Sequence, residues 1–318
     1  MEESGLRYNI VTGSFTLPAT IAFAAFMWYA GSKTAADAAL WWGGFACVLL
    51  AAFALMAFDN SFALMRERTR MVPSVFIAIS GAMTFTHGLT VDFIPSVCLL
   101  LAYAVLFLSY QKGQVQGYMF HVFLFVGIGA QVFPQMLYYV PFLWLSMIVQ
   151  MRCFTVRAFF ASLLGVLMPL VACESYRLIY GMPTETIAFA KSLADVPLPD
   201  YSLLSEHQVV SGGFVVFALA VAVIHFSRTK FNDKIRTRMF FYSLMIGELA
   251  TLVFLVAMPQ HFDVLFRILL LNGCVILGHH LAFARGVLAD IWFYVMMLFI
   301  AFIAFYNFNG YEFGIWLN

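Results

Sequence analysis

Long apolar runs broken by short polar gaps set the pattern of this chain from its first turn to its last. A helix that crosses a bilayer needs about 20 mostly apolar residues. On that ruler the runs predict spans near 10–30, 40–58, 71–88, 93–110, 117–132, 135–150, 158–180, 209–226, 239–258, 264–284 and 287–306, about eleven in all. The fifth and sixth are short and meet at Phe133 and Pro134, so they read either as two tilted crossings or as a re-entrant pair. The expected fold is all-α, a polytopic helical bundle forming one integral membrane domain over residues 1–318.

Composition strengthens this picture. Hydrophobic residues make up 63% of the chain, charged residues 10%, and the mean hydropathy is +0.91. Soluble domains carry roughly 45–50% apolar and about 25% charged residues, so a water-soluble fold could not cover this much apolar surface. In lipid that difficulty disappears, and membrane lipids become the first expected partners. The formal net charge of +1, with no basic stripe outside short loops, argues against a nucleic-acid partner. Cys47, Cys98, Cys173 and Cys274 lie within apolar runs and Cys153 in a short basic loop, without metal-type spacing, so no metal site or cofactor is expected. The first residues, Met1 to Arg7, lack the basic region and cleavage site of a signal peptide, so the first run is expected to be kept as a span.

Charge placement then orients the bundle. Arg7, Arg66, Arg68, Arg70, Lys112, Arg152, Arg157, Arg228, Lys230, Lys234, Arg236, Arg238 and Arg285 fall on one set of alternate gaps, and only Lys33 and Lys191 on the other. By the positive-inside rule the N-terminus is cytoplasmic and the C-terminus lies outside. The one sizeable outer segment is 181–208, carrying Glu185, Asp195, Asp200 and Glu206 against Lys191, with Pro183, Pro197 and Pro199. Within it, residues 184–195 have the pattern of a short interfacial helix.

Four charges fall inside spans: Glu174, Arg177, Glu248 and Arg267. Such residues usually face the bundle interior, pair with one another or line a wet cavity. Glu174 and Arg177 are three apart, a spacing at which they share a helix face and can pair. Arg267 starts the tenth span beside Asp263 and His261, while His87 and Asp92 flank an outer turn. Most of these project to the outer leaflet. Arg177, Arg267 and His87 are therefore candidate substrate-binding residues, the guanidinium fork being suited to phosphate. Asp92, Glu174 and Glu248 are candidate catalytic residues, as bases or proton carriers. Glu248 has no cation in its own span. The alternative readings are a helix-internal Glu174–Arg177 pair, a snorkelling Arg267 and a hydrogen-bonded Glu248 acid. His279 and His280 are adjacent and point to different helix faces, which speaks against chelation, and His121 and His225 stand alone in their spans. No P-loop, GxGxxG, HExxH or GxSxG motif occurs.

Residues 66–89 (RERTRMVPSVFIAISGAMTFTHGL) pass from a basic loop into a Pro-containing span. Residues 117–181 continue with a Phe/Gly-rich helix to the Phe133–Pro134 corner, a PFLWLS helix, a basic turn at Arg157 and a span with Gly165 and Pro169. With the tail from His279 and His280 through Arg285 to Asp290 and Trp292, this layout resembles a family of polytopic inner-membrane proteins of Bacteroidota, a domain of unknown function. The resemblance implies the inner membrane of a Gram-negative cell envelope. Segment 117–181 is also distantly similar to membrane glycosyltransferases that use polyprenyl-phosphate sugars at the outer leaflet. Those enzymes carry an acidic residue in the first outer loop, where this chain has only Asp37.

Three functions are open at this stage. The first is a membrane component of envelope or surface-glycan biogenesis, working with a membrane protein partner. The second is a lipid-linked glycan enzyme, a glycosyltransferase or polymerase, in which Asp92, Glu174, Arg177 and Arg267 hold a polyprenyl-phosphate-linked substrate. The third is a proton-coupled transporter of a lipid or small solute acting through Glu248.

Overall fold

The computed structural model describes residues 6–33, 37–67, 69–194 and 198–316; Arg68, Asp195 and Pro197 lie outside them. Thirteen α-helices follow one another, with no strand among the described residues. They are α1 (Leu6–Thr12), α2 (Thr16–Ser32), α3 (Ala38–Phe62), α4 (Met71–Ala82), α5 (Phe93–Leu108), α6 (Gln116–Val132) and α7 (Val140–Val149). Then come α8 (Val156–Ile179), α9 (Thr186–Ala194), α10 (Glu206–Thr229), α11 (Ile235–Ala257), α12 (Phe262–Phe283) and α13 (Val287–Trp316). Every apolar run is helical. In hydrocarbon each backbone N–H and C=O must find a partner within the protein, which a helix supplies internally.

Six helical segments are long and apolar enough to cross a membrane: Ala38–Phe62, Val156–Ile179, Glu206–Asn232, Ile235–Ala257, Pro259–Phe283 and Val287–Phe308. The expectation of eleven spans is thus supported for six. Helices α4 and α7 have 12 and 10 residues. At 1.5 Å per residue they reach only about 15–18 Å against a hydrocarbon core of about 30 Å. The chain between α6 and α7 turns through a 3-10 segment, Pro134–Tyr139, with Pro134 in its first turn, where a missing N–H costs nothing. Pro141 does the same for α7.

Helix starts follow their local chemistry. Asp37 Oδ1 accepts from the amides of Ala39 and Leu40 and opens α3. Ser205 and Gln208 form a reciprocal capping box at α10, with Ser205 Oγ accepting from Gln208 N at 3.2 Å and Gln208 Oε1 accepting from Ser205 N at 3.0 Å.

The chain divides into two compact units. The first comprises Met1–Thr90, Leu204–Asp233 and Gly273–Asn318. Within it the α2–α3 pair is locked by reciprocal indole bonds, Trp28 Nε1 to Trp41 O at 3.1 Å and Trp41 Nε1 to Trp28 O at 2.9 Å. Gly81 brings α4 against α2, since a Cβ there would stand 3.1 Å from the Ala24 backbone. Arg7 reaches the last turn of α12, donating to the carbonyls of Leu281 and Ala284 and pairing with Asp290 at 2.8 Å. A cation at a helix C-terminus satisfies orphan carbonyls and complements the helix dipole.

The second unit comprises Val91–Leu203 and Lys234–Asn272. Its tightest pairing is α6 with α8, where Gly165 faces the Phe120 carbonyl and Gly127 faces Val166 O and Pro169. Small residues at such crossings let backbones approach closely in lipid. The other face of α8 exposes Phe160, Leu164, Leu167 and Val171, as a lipid-facing helix would. Stacked rings of Phe107 and Phe240, 4.2 Å apart, join α5 to α11. The segment 181–208 contains α9, held where Gln135 Nε2 and the Tyr138 hydroxyl donate to the carbonyls of Ser192 and Leu193.

Candidate functional site

In the second unit, Glu248 occupies the middle of α11 and is only 5% exposed. Its Oε2 is buried without a hydrogen-bond partner. No cation pairs with it among the described residues. The phenols of Tyr103 and Tyr139, both fully buried, lie within reach of its charge. Tyr103 points its hydroxyl at the backbone of Gly247, the one position on this turn of α11 that has no Cβ to obstruct it. Tyr139 reaches Thr251 Oγ1 at 2.8 Å, and Thr251 in turn donates to Gly247 O at 2.9 Å. The cluster is therefore one carboxyl group, two phenols and one hydroxyl in an apolar shell. Ionised, such a buried carboxyl with no counter-ion would cost several kcal/mol.

The other candidates of this unit separate into two groups. Asp92 and Arg267 form one pair, Oδ2 to Nη1 at 3.7 Å, with Arg267 only 5% exposed. Arg267 also donates to Asp263 O at 3.3 Å and lies 5.0 Å from the Phe93 ring, so it is held inside the protein and does not snorkel from its surface. Arg177 pairs with Glu185, Nη1 to Oε1 at 2.5 Å, rather than with Glu174. Glu174 instead accepts from the Glu185 amide at 3.1 Å, so both residues fasten the turn that follows α8. Asp92, Glu174, Arg177 and Arg267 thus have their own partners, in two places.

His87, in the first unit, is fully buried and stacked on Trp28 with ring centroids 3.5 Å apart. Trp41 meets its edge at 5.1 Å. Its Nε2 is 3.2 Å from Gly81 O, so that nitrogen carries the proton, because a carbonyl can only accept. The surroundings of His87 are a packed aromatic corner.

The first unit also brings together polar residues that sequence reading did not combine. Asp233, whose side chain is 0% exposed, accepts from Arg66 Nε through Oδ1 at 2.6 Å, and its Oδ2 faces His279 Nε2 at 3.3 Å. Burial pushes the Asp233 carboxyl up, but His279 and Arg66 outweigh it and hold it below the usual range. The Arg66 guanidinium lies 4.8 Å from the Phe283 ring. His225 and His280, fifty-five positions apart, meet edge to face with centroids 4.6 Å apart. One signal was present in the sequence: Asp233 is the single acid among Arg228, Lys230, Lys234, Arg236 and Arg238. Asp59, also missed, is buried at the end of α3, where its Oδ1 accepts from Met65 N at 3.2 Å. By contrast His121 is satisfied locally, Nδ1 to Gly117 O at 2.6 Å.

No group of three or more His, Cys, Asp or Glu side chains able to hold a metal occurs among the described residues. Set beside protein-family models, curated proteins and solved structures, the chain matches none, so the reading of its function rests on its own geometry.

Proposed function

We propose that this chain is a multi-pass protein of a bacterial cytoplasmic membrane that carries a lipid or small solute coupled to protons, with Glu248 as the group that takes up and releases the proton. One observation carries the reading: a buried carboxyl at mid-helix, with one oxygen lacking any hydrogen bond and no basic partner among the described residues. An ionisable residue inside a span is a functional candidate by default, and a purely structural acid would have both oxygens engaged. Phenols at Tyr103 and Tyr139 supply groups that can hold the acid or a passing water without neutralising it. The alternating cations support a cytoplasmic N-terminus, with α4 and α7 as segments that dip into the bilayer or cross it in concert with their flanking turns. The envelope setting implied by residues 66–89 and 117–181 points to an envelope precursor as cargo.

The glycan-enzyme reading is weaker. It needs Asp92, Glu174, Arg177 and Arg267 around one phosphate, whereas two separate ion-paired sites account for all four.

The test is a flux assay. Proteoliposomes loaded with a pH-sensitive dye are challenged with panels of sugars, organic acids, amino acids and short-chain lipids. At least one should drive dye-reported proton movement, and Glu248→Gln should abolish that movement while leaving the protein folded and inserted. If no compound moves protons, or if Glu248→Gln moves them as well as the parent, the reading fails.

A further inference from the structure

The first unit holds a second set of titratable groups whose geometry is not that of packing. His280 is buried, and neither of its ring nitrogens has a hydrogen-bond partner; the Nδ1 of His225 is likewise buried without one. A neutral imidazole always carries one N–H and one lone pair, and burying that N–H without an acceptor costs about 1–3 kcal/mol. Phe or Leu would fill the same space at no such cost. Next to this pair, His279 turns the other way and presents Nε2 to Asp233 Oδ2 at 3.3 Å. Asp233 is bound through its other oxygen to Arg66, whose side chain is 35% exposed. A polar track therefore runs from an accessible guanidinium, through a fully buried carboxylate, to the imidazole of His279.

The charged groups around the cluster narrow the ligand. The charges of Arg7 from α1, Arg66 from the segment before α4 and Asp233 from the segment after α10 act on His225 of α10, and that of Arg7 also on His280 of α12. Both cations already have carboxylate partners, Arg7 with Asp290 and Arg66 with Asp233, so an incoming anion would meet two acids. A metal is not favoured either, for want of a three-ligand group among the described residues. The rings of Phe226 and Phe283, with centroids 5.4 and 4.9 Å from that of His279, close the apolar sides. What remains is the smallest cation.

We propose that Asp233 and His279, backed by the His225–His280 pair, form a proton-binding site that exchanges with solvent at Arg66. His279 turns its Nε2–H to the Asp233 carboxylate, which can only accept, so the proton adds to the Nδ1 lone pair and the resulting imidazolium is held by Asp233. Arg7 and Arg66 repel a second positive charge on the His225–His280 pair, so that pair stays neutral. The site lies in the other compact unit from Glu248 and does not depend on the transport reading.

The test is a titration of the whole protein in lipid nanodiscs with 15N-labelled imidazoles, its seven His assigned by single His→Gln substitutions. Over a series from about pH 5 to 8, where histidines ordinarily exchange protons, the His279 15N shifts should move between neutral and protonated values. Asp233→Asn should lower its midpoint by about one unit or more, the usual effect of removing an adjacent opposite charge. Arg66→Gln should raise that midpoint, which keeps the proposal testable if Asp233→Asn fails to fold. A His279 signal unchanged across that range, or a midpoint indifferent to both substitutions, overturns the site. Glu248→Gln is the control: it should leave the His279 titration intact, so loss of the transport reading and loss of this one are read separately.

Discussion

Tyr139 and Thr251 hold their hydroxyl oxygens 2.8 Å apart, and the threonine proton is already committed to Gly247 O at 2.9 Å. Tyr139 must therefore be the donor, which fixes the direction of the short chain beside Glu248. Thr251→Val keeps the side-chain shape but leaves the buried phenol without its acceptor, at a cost of about 1–3 kcal/mol. Adding Tyr139→Phe removes the orphaned donor and should return at least half of that loss. Thermal unfolding in detergent, read for both single variants and the double, checks this. A double variant no better than Thr251→Val would mean that the hydroxyls are not paired.

Gly247 is a second point at which this cluster can be probed. A Cβ at this position would run into the Tyr103 hydroxyl, and Tyr103 is buried and cannot swing away. Gly247→Ala should therefore destabilise the protein by about 1–3 kcal/mol, the usual cost of overpacking. Because the collision is with the hydroxyl oxygen, Tyr103→Phe should suppress much of the defect. Yield of folded protein and melting temperature across the four combinations provide the measurement. Suppression by Tyr103→Phe would be absent if the glycine served only as a flexible point in α11.

Asp233 makes stability depend on acid in a direction that can be worked out. Burial works against its ionisation, but His279 and Arg66 prevail and hold the folded-state carboxyl below its ordinary value. A group depressed on folding contributes stability that is complete above the unfolded-state pKa of about 3.9 and is lost as pH falls through the folded value. The stability gap between the parent protein and Asp233→Asn should therefore narrow as pH falls below about 4. Denaturant unfolding of both proteins along a pH series tests it. A gap that widens below about pH 4 would give Asp233 the opposite sign.

The fold was far more legible than the pairing of its charges. Each apolar run became a helix because lipid leaves the backbone no other option, and caps such as Asp37 and the Ser205–Gln208 box are local enough to read from spacing. Helices that are apolar all round carry little periodic information about which face packs where, so partners had to be guessed from proximity along the chain. That guess misled at Glu174 and Arg177, where the chain folds back after α8 and delivers Glu185 to both. It could not find His225 with His280, or Arg66 with Asp233, because those contacts span 55 and 167 positions. Glu248 was visible for the opposite reason: a lone acid in an apolar run needs no partner to stand out.

Asn307 shows how one such distant contact can serve the fold alone. Its Nδ2 donates to Ala82 O at 2.9 Å and to Ser211 Oγ at 3.2 Å, tying α13 to α4 and α10 in the first unit. Ala82 is the last residue of α4, and the final carbonyls of a helix have no partner within it. Asn307 thus caps α4 from 225 positions away. Asn307→Leu should leave that carbonyl bare in an apolar setting and cost about 1–3 kcal/mol. Ser211→Ala should cost only a few tenths, because the amide keeps its better acceptor. Coupling between the two changes should stay near the roughly 0.6 kcal/mol average for polar pairs between membrane helices, and below about 1.7 kcal/mol. A double-mutant cycle by unfolding in mixed micelles decides the point. A larger coupling would make Ser211, rather than the end of α4, the group that holds Asn307 in place.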